Sequence, residues 1–453
     1  MRISSVIWVF HPIFAVLYPK LNDNLSMQRF KILGKSILLG FPLFLFTSIL
    51  GTGATISTNR IDKPLVDRKE MKLYRVHQQK LKDALSAYFE KAIASGDIVG
   101  AGVSIVRGDS IVISDGFGKR NINYNDGVDG ETIFRLGSLS KGFAGVLAAD
   151  LRREGKLDWS DKVSDCIPEF QLGDRNNTDH ITLANILSHT SGAPYHSYTN
   201  LVEAGLPLTE IVSRFKALTP ISKPGLTYSY QNAMFALCGE MMHKATGHDI
   251  TTLLNDKFFK PLKMDHISMD YETLEHAENV AMPHSKRRSG WKTLKLTDHF
   301  YNAVAAGGIN ASALDMAKWM ELLLGHHPEI MDKSALREAF NPFIEIKGNN
   351  KYYQRWPGHV RSYYGFGWRV HKFVDKDTNE EKSILHHGGS VNNYRNEIAV
   401  YPEDDLGICV LLNSNSKLAK TVIPDLYKIV NEVFDEANSK NAPDDDTYVT
   451  STF

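Results

Sequence analysis

Strand-like patterning sits at the two ends of this chain, and helical patterning fills the stretch between. GAGVSIVRG and DSIVISDGFG, residues 100–118, are short Val- and Ile-rich runs punctuated by Gly108-Asp109, as in a hairpin. Strand patterns return only beyond Tyr363, in YGFGWRVHKF, KSILHHGG, YRNEIAVYP and LGICVLLNS. From about Asp161 to Ser289 the reading is mostly helical, with loops at HTSGAP and KPG. Distant strands find a stable home by pairing into one antiparallel sheet, which leaves the middle as a separate helical lobe. The expected class is therefore α/β (α+β): a sheet from both chain ends, flanked by helices, with an inserted helical lobe. The lobes meet at a cleft, a usual place for a ligand.

Flanking helices are legible too. Leu81, Ala84, Leu85, Tyr88 and Ala92 recur at helical spacing over about 76–95, and Gly96 stops the run. A long helix signal covers Ser138 to Glu154 and closes at Gly155, and a last one covers about Ala419 to Ala437. Residues 55–75 read as a linker, 76–435 as the folded domain and 436–453 as a tail. The sequence has no internal repeat.

Hydrophobic residues are 43% of the 453 and charged residues 23%, enough for a full core. Lys plus Arg and Asp plus Glu are both 52, so no basic excess asks for nucleic acid, and no nucleic-acid motif occurs. Three cysteines, Cys166, Cys238 and Cys409, are too few for a disulfide scaffold. The first 54 residues stand apart. Arg29, Lys31 and Lys35 precede an uncharged run, 36–54, whose apolar heart is Ile37–Leu50, followed by Gly51, Gly53 and Ala54. A basic start, an apolar stretch and small residues read as an export signal. The alternative is a membrane anchor, for which 14 residues with Gly40 and Pro42 inside are short. The expected location is thus exported, periplasmic or secreted. A second apolar stretch precedes Met27, which would make a tidier start for the signal. Removing 1–54 takes five basic residues and one acidic from a neutral chain, leaving −4.

Three motifs carry chemistry. Ser138-Leu139-Ser140-Lys141 places a hydroxyl and an amine three apart, on one helix face. A serine hydroxyl is a weak nucleophile until a neighbour takes its proton. Gly137 sets Ser138 at a helix start, where backbone N–H groups favour developing negative charge. Ser-x-x-Lys also occurs at 289–292 and 414–417, but only Ser138 opens a long amphipathic helix. Its plainer reading is an N-cap. Tyr230-Gln231-Asn232 offers a phenol that a neighbouring lysine cation would help to ionise, and an amide that can hold a substrate amide. Tyr-x-Asn recurs at 198–200 and 394–396, and a buried tyrosine at a loop-to-helix junction is the plainer reading. His386-His387-Gly388-Gly389 ends a strand, where the glycines would let a substrate backbone approach an edge. The plainer reading is a glycine turn beside surface histidines. There is no Gly-x-Ser-x-Gly elbow and no His-Glu-x-x-His helix, which argues against an α/β-hydrolase and a zincin.

In their order, and with the blocks EGKLDWSDKVSDCIPEF, ITLANILSHTSGAP, KPGLTYSYQNAMFALCGEMMHKATG and AAGGINASALDMAKWM around them, these motifs resemble the serine β-lactamase (class C), penicillin-binding protein, DD-peptidase and esterase superfamily over roughly residues 76–435. The resemblance implies Ser138 as acylated nucleophile, Lys141 as its partner and Tyr230 as general base that also serves the leaving group. It implies that Asn232 orients a substrate amide and that the N–H groups of Ser138 and Ser390 form an oxyanion hole. Tyr394, seven after His387, aligns the third motif as His387-Gly388-Gly389; His386-His387-Gly388 is the other register. Asn393 stands where the family has glycine, which puts substrate fit beside the strand in question. His189 falls in a block that is structural in the family. No cofactor and no metal are implied.

The implied function is a serine hydrolase working through an acyl-enzyme on a small-molecule or peptide substrate. D-amino peptides or esters come first, since His387 replaces the lysine of efficient class C β-lactamases and titrates near neutrality. By that reading a β-lactam reaction weakens as pH rises through the His387 titration. A class C-type β-lactamase and a non-turnover penicillin-binding or sensor protein are the competing readings. The sequence says nothing of oligomeric state.

Overall fold

The computed structural model describes residues 68–375 and 378–440. The leader or anchor over 1–54, the linker up to residue 67 and the tail from 441 lie outside the described residues. Twelve strands occur among those described: β1 (Gly100–Arg107), β2 (Ser110–Gly118), β3 (Phe134–Arg135), β4 (His284–Arg287), β5 (Gly290–Thr293), β6 (Asn310–Ala311), β7 (Ile344–Glu345), β8 (His359–Tyr364), β9 (Arg369–Val374), β10 (Glu381–Val391), β11 (Tyr394–Tyr401) and β12 (Leu406–Leu412). Eight of them form one antiparallel sheet in the order β2-β1-β12-β11-β10-β9-β8-β7. The seam between the chain ends is β1 against β12, with Val103 opposite Val410.

β12 shows why the continuous apolar run LGICVLL is a strand. Both sheet faces are covered, so successive side chains must all be apolar. Ile408, Val410 and Leu412 face the helix Arg68–Ala94, through Leu81, Leu85 and Phe89, and the helix Val422–Lys440, through Ile423, Leu426 and Val430. Cys409 and Leu411 face the other way, toward Met316, Trp319 and Met320 of the helix Ala313–Leu324. That second layer also holds the helix Ser140–Arg153, whose Phe143 stacks on Trp319 at 4.2 Å between ring centres. Each such buried side chain stabilises the fold by about 1.5–3 kcal/mol. Ser312 starts the Ala313–Leu324 helix by accepting from Asp315 N, while Asp315 reaches back to Ser312 N.

Four details differ from the sequence reading. The first helix begins at Arg68, inside the stretch read as a linker, because Leu81, Leu85 and Phe89 anchor a longer amphipathic run. The last helix begins at Val422 and reaches Lys440, past the expected domain end at 435. The stretch read as mostly helical ends in a hairpin, β4–β5, around Ser289. β10 is an interior strand: it pairs with β11 over 385–391 and with β9 only over 381–386. Only its end, from His387 onward, is free on the β9 side. Cys166, Cys238 and Cys409 are free thiols.

Candidate active site

Ser138 lies in a one-turn 3-10 segment, Gly137–Leu139, that runs into the helix Ser140–Arg153. Gly137 has φ +57°, a left-handed backbone, and a Cβ there would stand 2.8 Å from Ser390 N. Both the conformation and the contact require glycine. The turn is clamped to the sheet by Asn396, whose Nδ2 donates to Arg135 O at 2.8 Å and Leu136 O at 3.1 Å. On the far side Ser140 Oγ accepts from Ile309 N at 3.1 Å. β10 packs so closely on this turn that a Cβ on Gly389 would be 2.1 Å from Leu136 O. The third-motif glycines thus answer to the protein's own packing: at Gly388 a Cβ would meet Glu397 Oε2 and Tyr352 OH, each at 2.8 Å. Ser138, Gly137, Gly388 and Ser390 line one cleft of about 420 Å³.

Lys141 is fully buried beneath Ser138. Its Nζ lies 2.8 Å from Asn232 Oδ1, 2.7 Å from Ala306 O and 3.3 Å from Ser138 Oγ. Burial holds this amine well below the usual lysine range, and the nearby Arg369 charge pushes the same way. The Asn232 and Ala306 carbonyl oxygens accept from Nζ, and Ser138 Oγ is its third polar contact. Tyr230 OH donates to Ser138 Oγ at 2.9 Å. Burial pushes its phenol up to about 12, with Arg369 and the Ser138 hydrogen bond acting against that. The sequence reading had a lysine cation ionising Tyr230; here burial moves both groups toward neutrality.

His189 lies under Tyr230 and is itself buried, with ring centres 4.1 Å apart. Gln231 N donates to His189 Nδ1 at 3.2 Å, which leaves Nε2–H to donate to Tyr364 OH at 3.2 Å. Tyr364 OH in turn faces His387 Nε2 at 2.9 Å, and His387 Nδ1 faces Gly388 O at 2.9 Å. One chain of hydrogen bonds therefore ties the Tyr230 segment to the third motif. It also fixes what His387 does. The ring is fully buried, does not line the cleft, and is held well below the ordinary imidazole range by burial first and then by the charge of Arg369. The expected anchor at His387 is not presented to the cleft: its ring is turned to Tyr364 and Gly388 O. His386 points to the opposite sheet face, where its Nε2 meets Glu397 Oε2 at 2.8 Å. Asn392 and Asn393 both have positive φ, +44° and +64°, and make the two-residue turn between β10 and β11. Asn393 thus adopts the backbone that glycine would.

The other matches to the short motifs fall elsewhere. Ser289 is at the β4–β5 turn. Tyr394 OH donates to Ala281 O inside the core, and Asn396 is the clamp already described. Cleft residues that sequence reasoning missed are Lys351, Tyr352, Tyr353, Arg369 and Arg395. They come from a short turn and two strand starts with no spacing signature. Among the described residues no group of His, Cys, Asp and Glu is arranged to hold a metal, and no helix is long and apolar enough to cross a membrane.

An antiparallel sheet flanked by helices, with a Ser-x-x-Lys turn at a cleft, defines the class to which the comparisons also point. The Beta-lactamase family profile matches residues 85–428, and the chain belongs to that family. Protein flp of Staphylococcus aureus (strain NCTC 8325 / PS 47) is 23% identical over 350 residues, 77% of this chain and 66% of its own length. Unguisins hydrolase ungD' of Aspergillus campestris (strain IBT 28561) is 24% identical over 358 residues, 76% of this chain and 64% of its own. The chain thus spans slightly under two thirds of these relatives. The octameric penicillin-binding protein homologue from Pyrococcus abyssi shares the fold, with a TM-score of 0.65, 23% identity, and coverage of 78% of this chain and 80% of that one.

Proposed function

We propose that this chain is an acyl-transfer hydrolase of amides or esters, with Ser138 as nucleophile. The observation that carries the reading is the double contact on Ser138 Oγ, from Tyr230 OH at 2.9 Å and Lys141 Nζ at 3.3 Å, at the floor of the cleft. The neutral Lys141 amine takes the serine proton as Oγ attacks a carbonyl. The oxyanion forms against the N–H groups of Ser138 and Ser390, which Gly137 brings together; such donors are typically worth about 3 kcal/mol each. Tyr230, protonated and hydrogen-bonded to the same Oγ, hands a proton to the leaving group. Asn232 steadies Lys141 and offers its amide to the substrate. Water then releases the acyl group by the reverse path.

D-amino peptides or small esters remain the favoured substrates, because no cation from the third motif reaches the cleft to hold a β-lactam carboxylate. The test is kcat/KM for nitrocefin, a D-Ala-D-Ala peptide and a p-nitrophenyl ester on one preparation. A lead of about a hundredfold for nitrocefin, about 2.7 kcal/mol, makes the chain a β-lactamase instead. Acylation without turnover makes it a penicillin-binding or sensor protein. Ser138→Ala should abolish labelling by a fluorophosphonate, whereas Ser140→Ala, which loses only the Ile309 contact, should still label. Export through residues 1–54 belongs to the same reading. Expression from Met27 in a bacterium should deliver the protein outside the cytoplasm, and soluble full-length protein in the cytoplasm counts against it.

A further inference from the structure

A line of polar side chains crosses the sheet from β8 to β11 and ends at the cleft. His359 opens β8 at the end away from Tyr364 and is half-buried. Ser362 of β8, His371 of β9, His386 of β10 and Glu397 of β11 are each at most 2% exposed. His359 Nε2 lies 2.7 Å from Ser362 Oγ, and Ser362 Oγ lies 2.8 Å from His371 Nδ1. His371 Nε2 is 3.0 Å from His386 Nδ1, and His386 Nε2 is 2.8 Å from Glu397 Oε2. Tyr352 OH, on the cleft wall, donates to the same Glu397 oxygen at 2.7 Å. The acyl-transfer chemistry makes no use of this line.

A neutral imidazole donates at one nitrogen and accepts at the other. With His371 and His386 neutral, the direction in which burial pushes both, the line has two arrangements in which every link is a hydrogen bond. In the first, all donors point to an ionised Glu397: His359 Nε2–H to Ser362, Ser362 O–H to His371 Nδ1, His371 Nε2–H to His386 Nδ1, and His386 Nε2–H to the carboxylate. In the second, all point the other way, from a Glu397 O–H to His386 Nε2 and on to His359 Nε2. One proton separates them. It binds at His359 Nδ1, each link passes its own proton one step inward, and the last step forms the Glu397 O–H bond. No ring is charged in either arrangement.

Charged and titratable groups face Glu397 from each element around it. Arg395 of β11 places Nη2 2.7 Å from Oε1 as an ion pair rather than an aligned hydrogen bond. Arg369 of β9 lies over the rings of Tyr353 and Tyr364, at 5.2 and 6.0 Å, with Tyr228 beside it. Tyr352 and Tyr353 come from the turn Tyr352–Arg355, His386 from β10 and Cys409 from β12. Burial raises the carboxyl to about 7 against Arg395, the Tyr352 hydrogen bond and Arg369, so the two arrangements exchange near neutrality.

We propose that this line is a tautomer relay, in which His359, Ser362, His371 and His386 are positioning residues that set the charge of Glu397 and, through it, the Tyr352 hydroxyl on the cleft wall. With Glu397 ionised, Tyr352 O–H is directed inward and Arg395 is paired. With Glu397 protonated, Arg395 loses its counter-charge and Tyr352 is released to donate into the cleft. As a control on turnover the relay rests on the acyl-transfer reading of Ser138.

The test is ¹⁵N NMR of the full chain labelled at histidine, from about pH 5.5 to 8.5, with rings assigned through His371→Asn and His386→Asn. Nitrogen shifts distinguish the two neutral tautomers and imidazolium. His371 and His386 should exchange Nε2–H for Nδ1–H together, at one midpoint, as pH falls. Glu397→Gln should remove the transition. Ser362→Ala, which cuts the line, should move the midpoint by about 0.5–1 pH unit, the worth of one hydrogen bond. The rate of fluorophosphonate labelling should inflect at the wild-type midpoint, and that inflection should be absent from Glu397→Gln. Tautomers that do not change with pH, separate midpoints for the two rings, a ring that becomes imidazolium, or a labelling rate blind to the transition overturns the proposal. The wild-type spectra decide it even where a variant fails to fold. Failure of the acyl-transfer reading shows separately, as wild-type protein that is not labelled at any pH.

Discussion

Acidification from pH 8 to pH 5.5 should destabilise this protein far more than its neutral formal charge suggests. Of the five described histidines that are at most 1% exposed, four carry the largest shifts: His189, His371, His386 and His387. All are held well below the ordinary imidazole value, burial being the largest cause in each. In the unfolded chain each takes up a proton below about 6.5. The unfolded state then binds more protons than the folded one, so stability falls as pH drops through that value. Uptake by the unfolded chain at pH 5.5 is worth about 1.4 kcal/mol per histidine, or about 5.6 kcal/mol for four. Glu397 works in the opposite direction. Burial raises its carboxyl from 4.5 to about 7 against the pull of Arg395, so the folded state takes up the proton first. That offsets about 2 kcal/mol at pH 5.5. Asp129, Asp158 and Asp249 are all lowered from 3.8 and titrate below this window. The net loss is roughly 3.5 kcal/mol, a large part of a typical 5–15 kcal/mol stability. Urea unfolding followed by tryptophan emission at pH 8, 7, 6 and 5.5 measures it. His371→Asn should shrink the pH-dependent part by about 1.4 kcal/mol. Stabilities at pH 8 and 5.5 that agree within about 1 kcal/mol, or a slope untouched by His371→Asn, would refute the reasoning.

Other outcomes follow from single contacts. Lys141→Ala should lower kcat about 10²–10⁴-fold, the usual span for a lost general base, while a melt shows the fold retained; acylation at the wild-type rate would remove Lys141 from the mechanism. Asn396→Leu leaves Arg135 O, Leu136 O and Leu412 N without their partner, so unfolding should cost about 3 kcal/mol less and probe labelling should slow as the Ser138 turn loosens. Gly389→Ala drives a Cβ into Leu136 O; the expected readout is a drop in labelling rate of at least about tenfold, because Ser390 N moves away from Ser138. Glu397→Gln loosens Arg395 and Tyr352 at the cleft edge, and the expected split is a raised KM with kcat less affected, read from steady-state kinetics on one ester.

The strands and the Ser138 turn were legible because their signals are local. Alternation or continuous apolarity marks β1, β2, β11 and β12, and Gly137 before an amphipathic run marks the Ser138 turn. The roles of the histidine pair were not legible. Sequence spacing put His386 and His387 in competing registers, but strand pleat sends them to opposite faces, one to Glu397 and one to Tyr364. The surroundings of Lys141 and Tyr230 were not legible either, since both are buried by segments far away in sequence, such as that of Ala306. Arg369 escaped notice for a related reason. Nothing in GFGWRV separates an arginine facing solvent from one enclosed by Tyr228, Tyr353 and Tyr364. The early helix start at Arg68 was hidden by the polar residues that surround its anchors.

The seam of β1 against β12 has a consequence for how the chain is made. Val103 waits for Val410, so the sheet cannot close until nearly all of the domain has left the ribosome. Until then β1 and β2 are a hairpin with an open edge and two apolar faces, a form prone to pair with other chains. Contacts of such long sequence separation also close slowly. Folding of this protein is thus governed by its last strand, and removal of residues 406–412 should leave a chain that aggregates during synthesis.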